Sequence, residues 1–94
     1  MALDDIAGKI KEISKQISKQ MESNIPSIDS EIDAIIRNKE RSVKKIEGLL
    51  DTLLDYMNLG VGETEFKKLN AYYESFNKEN ADVYDGFYQE LKKG

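Results

Sequence analysis

The chain has 94 residues, 34% of them charged and 39% hydrophobic, with a formal net charge of -4 and a mean hydropathy of -0.60. That length gives one domain with a single core, roughly 60–65% of whose unfolded surface can be buried. Cysteine, histidine and tryptophan are all absent, which excludes disulfides, thiolate nucleophiles, Cys/His metal sites and any imidazole titrating near neutrality.

One proline and six glycines leave few breakers, so long helices are expected. The first helix is expected from about residue 2 to 23. Leu3, Ile6, Ile10, Ile13 and Ile17 alternate spacings of three and four, a narrow seam in an otherwise polar segment. Such a stripe needs a partner helix, since an isolated helix of this kind is marginal in water. The tetrad in ISKQISKQ, Ile13 to Gln20, is the one internal near-repeat.

A break is expected at SNIPS, Ser23 to Ser27, because Pro26 lacks the N–H of a helix interior and disfavours helix at Ile25. The second helix then reads from about residue 28 to 58, about 45 Å if unbroken. Its apolar positions broaden toward the end, in LLDTLLDYM, Leu49 to Met57, so more than one neighbour must cover it. Between Ile36 and Val43 the six residues RNKERS are polar, but their spacing keeps helical phase. A continuous helix is expected there, with a break at Asn38 as the alternative.

NLGVGET, Asn58 to Thr64, is a second break, with Gly60 placed as the residue that ends the helix in left-handed conformation. A third helix is expected at about 63–77, with Phe66, Leu69, Tyr73 and Phe76 inward. After a cap at Asn77 or Asn80, a fourth runs at about 80–92, with Val83, Tyr84, Phe87, Tyr88 and Leu91 on one side. The fold expected is an all-α, small antiparallel bundle of four helices with a long central second helix, against which the first folds back.

Charge is divided unevenly. Residues 1–46 carry nine positive and eight negative groups, and residues 47–94 carry five and ten. An acidic second half disfavours nucleic acid, which is normally met by a basic stripe, and favours a basic protein partner. No apolar run approaches the length of a membrane span and no leader pattern is present. A cytoplasmic protein is the expectation, with leaderless secretion as the alternative.

Catalytic and metal patterns fail on particular residues. Asp29 to Glu40 has acidic residues at four calcium-loop positions (Asp29, Glu31, Asp33 and Glu40), but Ala34 stands where that loop needs glycine. No metal or other cofactor is expected. Ile28 to Arg41 resembles the first helix of AroQ-type chorismate mutases over fourteen residues. That resemblance implies a cationic clamp for a dicarboxylate, yet Arg37 and Arg41 are the only arginines, so no catalytic residue follows and no enzyme is expected.

The residues 72 to 88 hold six of the eight aromatic rings. Most fall in helical phase and belong to a core, because two short helices must cover one long one and rings supply the most area per residue. Tyr72, Tyr88 and Tyr56 are the recognition candidates, since tyrosine is enriched at interfaces, with Glu74, Asp85 and Glu90 as acidic neighbours. The function expected is a non-enzymatic protein–protein interaction module acting through this acidic, tyrosine-bearing surface. Small acidic four-helix proteins include bacterial immunity proteins and phage inhibitors, a similarity of size and fold class that implies such a role. The alternative is a self-associating protein, a homodimer through Ile6, Ile10, Ile13 and Ile17.

Overall fold

A computed structural model describes residues 2–93, with side chains from Gln16 onward. Four helices form an all-α bundle: α1 (Ala2–Arg37), α2 (Val43–Met57), α3 (Glu63–Glu74) and α4 (Lys78–Lys93). The class and the number of helices are those expected. Two of the three breaks also fall where expected, and the remaining one has moved from SNIPS to the residues after Arg37.

α1 runs unbroken through Pro26. A proline inside a helix removes one backbone hydrogen bond, here to the carbonyl of Glu22, and crowds that turn. Both Pro26 and Glu22 are exposed, so water can serve the carbonyl. Beyond it, Ile28, Ile32 and Ile35 hold one helical face in the core, and the last two are completely buried. Each such side chain contributes about 1.5–3 kcal/mol of burial, and on the near side of the proline Ile25 packs against the same core and Asn24 donates to Tyr56, so both arms of the helix are held in line. α1 therefore does not fold back, and the long helix of the bundle is the first rather than the second. The molecule measures 56 × 27 × 19 Å, its long dimension matching a 36-residue helix at about 1.5 Å per residue.

α1 ends in a Schellman turn. Lys39 N–H donates to the Ile36 carbonyl and Glu40 N–H reaches back to Ile35 at 2.9 Å. Lys39 occupies the left-handed position at φ 52, where glycine is the usual residue, which is why this stop is unmarked in the sequence. Ser42 then caps α2, its side chain accepting from Lys45 N–H.

The turn after α2 has the same geometry with the expected glycine. Gly60 (φ 79) donates to Met57 and Val61 to Tyr56. Gly62 follows at φ 92, where a Cβ would lie 3.0 Å from Leu53 Cδ2. Between α3 and α4, the Asn77 side chain accepts from Asn80 N–H, making Asn77 the cap of the last helix.

α2 and α3 lie between α1 on one side and α4 on the other, and among the described residues α1 does not touch α4. Ile46, Leu50, Leu53, Leu69 and Tyr73 form the fully buried centre. α4 presents Ala81, Tyr84 and Tyr88 inward. Val83 and Phe87, expected inward, are instead about half exposed, at 51% and 49%. The two registers lie side by side on the helix, and the inward one continues through Ala81 and Leu91 while the other meets Glu79 and Glu90 a turn away.

Candidate functional site

All five tyrosines are engaged between elements of the bundle. Tyr73 donates to Glu47 of α2 at 2.6 Å and accepts from Asn80 of α4 at 3.2 Å, joining three helices. Tyr84 donates to Asp51, one turn along α2, at 2.8 Å. Tyr88 stacks on Phe66 with ring centroids 5.8 Å apart and donates to Glu63 at the start of α3. A buried ring with a hydroxyl reaching a carboxylate at the rim satisfies both the apolar body and the polar tip of tyrosine.

The three tyrosines expected to form a recognition surface do not share one. Tyr88 is buried at 8% exposure, so its assignment to an exposed face is corrected: the register through Ala81 and Leu91 turns it onto Phe66. Tyr72 is half-buried, donating to the Glu40 carbonyl at 2.8 Å and so tying α3 to the α1–α2 turn. Tyr56 packs against the core and accepts from Asn24 of α1 at 3.1 Å. Of their acidic neighbours, Glu74 and Asp85 rim a recess between α3 and α4, and Glu90 lies apart from them, beside α2.

The Glu63 carboxylate shows how these struts are tuned. Lys92 donates to it at 2.8 Å and Tyr88 donates as well, holding its pKa down to about 2. Lys68 makes a second tie between helices, from α3 to Asp29 and Asp33 of α1. Asn70 is buried, donating to the Ala81 carbonyl at 3.0 Å.

Among the described residues, the large apolar side chains exposed outside the core are Ile17, Val43 and Leu59, each standing singly, and Val83 and Phe87, which share the outer side of α4. Phe87 and Val83 stand one turn apart, and Phe87 joins Leu54 and Leu91 in a groove of about 270 Å³ lined also by Asp55, Asn58 and Glu90. The Phe87 ring is fixed edge-on against Tyr84 at 5.6 Å. Asp51, Asp55, Glu79 and Glu90 belong to the same two helices. Among the described residues none of these four makes a salt bridge, whereas Asp82 is paired with Lys78. Sequence phase alone assigned Val83 and Phe87 to the core. The signal that they lie outside it was the carboxylate at each end of their register.

Of the seam residues Ile6, Ile10, Ile13 and Ile17, the first three lie outside the described side chains, and Ile17 is 40% exposed. No described helix is long and apolar enough to cross a membrane. No protein family matches the chain, and no curated protein or solved structure is similar to it at a significant level.

Proposed function

We propose that the chain is a non-enzymatic protein-binding module whose docking face is the Val83–Phe87 ridge of α4 with the adjoining α2 groove. The observation that carries this reading is a half-exposed aromatic ring packed edge-on against Tyr84, in a groove whose carboxylates, Asp55 and Glu90, make no salt bridge among the described residues. A fixed aromatic side chain buries large area with little loss of conformational freedom, and exposed apolar groups bordered by charge are the usual anatomy of an interface. The charge selects a cationic, amphipathic partner: apolar side chains for the groove, lysine or arginine for Asp55 and Glu90. The recognition surface expected from the sequence keeps its acidic character and Glu90 but exchanges its tyrosines for Phe87 and Val83. Inhibitor or immunity action, by covering a basic surface on a target protein, is the activity such a cytoplasmic module would perform.

A fluorescent amphipathic peptide of isoleucine and lysine tests the face directly. Anisotropy titration of the full chain is expected to show binding that Phe87→Ala weakens about tenfold, equivalent to about 1.4 kcal/mol. The melting temperature should move little, because the ring is half exposed. Equal binding by Phe87→Ala and the native chain refutes the proposal.

A further inference from the structure

The structure and the sequence together point to the occupant of this face: we infer that the ridge of one copy takes the first half of α1 from a second copy. The inference rests on the ridge being a docking surface, and it names the partner. Residues 9–21, KIKEISKQISKQM, carry four lysines against one glutamate around the register Ile10, Ile13, Ile17 and Met21. That is a cationic amphipathic helix, the chemistry that Phe87, Leu54, Asp55 and Glu90 select. Among its described side chains, Ile17 is 40% exposed and Met21 is partly buried.

The chain cannot satisfy its own ridge. α1 is one continuous helix whose last third is locked into the core by Ile28, Ile32 and Ile35. Ser18 donates to the Leu59 carbonyl at the α2–α3 turn, which fixes the helix direction further. α2 and α3 separate it from α4. A helix so anchored reaches an α4 face only on another molecule. The segment of 13 residues is about 20 Å long and α4, with 16, about 24 Å, so the segment can lie along the helix that bears the ridge without overrunning it. Reciprocal docking closes a two-fold dimer with two such contacts, while one-way docking propagates. Pairing between lysines and carboxylates makes the association weaken as salt rises.

Sedimentation velocity of the full chain over the micromolar range tests this. The native chain is expected to shift from monomer to a larger species with concentration. Phe87→Lys and Ile13→Asp should each weaken self-association at least tenfold, and Val83→Lys serves as a second ridge variant should Phe87→Lys lose helicity by circular dichroism. The decisive result is their mixture, because the intact stripe of Phe87→Lys meets the intact ridge of Ile13→Asp. Hetero-association on mixing supports the docking. Association that survives both ridge changes but not Ile13→Asp assigns it to pairing of α1 with α1 and overturns the inference. A native chain monomeric throughout overturns it as well, and leaves the docking face standing if the isoleucine–lysine peptide still binds through Phe87.

Discussion

The Tyr84 hydroxyl donates to the Asp51 carboxylate at 2.8 Å, fastening α4 to α2 beside the ridge. Burial, and then the hydrogen bond to Asp51, push the Tyr84 phenol well above its ordinary value of 10.0. A raised folded-state pKa means stability that is intact below pH 10 and lost as pH climbs beyond it, because the unfolded chain ionises first. Tyr73, raised in the same direction by burial and then Glu47, adds to this loss. Tyr84→Phe should cost about 1 kcal/mol at neutral pH and reduce the alkaline loss. Urea midpoints at pH 7 and above pH 10, with tyrosinate absorbance, measure both.

Glu63 titrates in the opposite sense. Hydrogen bonds from Lys92 and Tyr88 lower its pKa from 4.5 to about 2. Its contribution is therefore present above about pH 4.5 and disappears as pH falls through about 2. Glu63→Gln should flatten the pH dependence of thermal melting within that window. An unchanged acid limb in the variant would show that the ties to Lys92 and Tyr88 do not contribute.

Lys39 holds a backbone conformation that costs a non-glycine residue about 1–2 kcal/mol. Part of that gain is returned on substitution, because glycine raises the entropy of the unfolded chain. Lys39→Gly is expected to stabilise the protein by about 0.5–1 kcal/mol, read as a higher urea midpoint at constant slope. Lys39→Val should shift the midpoint the other way, since a branched side chain tolerates positive φ least.

Pro26→Ala restores an N–H at an exposed position of α1 and relieves the clash with the preceding turn. A gain of about 1–3 kcal/mol is expected, accompanied by stronger helical circular dichroism at elevated temperature. A variant no more stable than the native chain would show that the turn before Pro26 carries no such cost.

Much of the fold was legible in the sequence because local chemistry and tertiary packing agree there. Gly60 marks the end of α2 with the only residue type comfortable at its φ, and Phe66, Leu69 and Tyr73 share an unbroken apolar register. The stop after Arg37 was not legible, because its left-handed residue is a lysine. Continuity through Pro26 was hidden for a related reason: local preference opposed it, and packing on both sides of the proline, by Ile25 before it and by Ile28, Ile32 and Ile35 after it, overrode it.

The candidate site divides in the same way. Acidity of the second half, Glu90 and the cationic character of residues 9–21 can be read directly from the letters. Which rings face water was only faintly marked, because YYESFNKENADVYDGFY contains two helical registers one residue apart, each bearing apolar side chains, and only Glu79 and Glu90 distinguish the outer one. The sequence by itself determined four helices, their apolar content and the placement of charge, all of which follow from residue type and short-range spacing. Only the tertiary structure decided that Tyr84 and Tyr88 turn inward while Val83 and Phe87 remain outside. Tyr84 and Tyr88 find Asp51 and Glu63 across the bundle for their hydroxyls, partners that no local pattern displays.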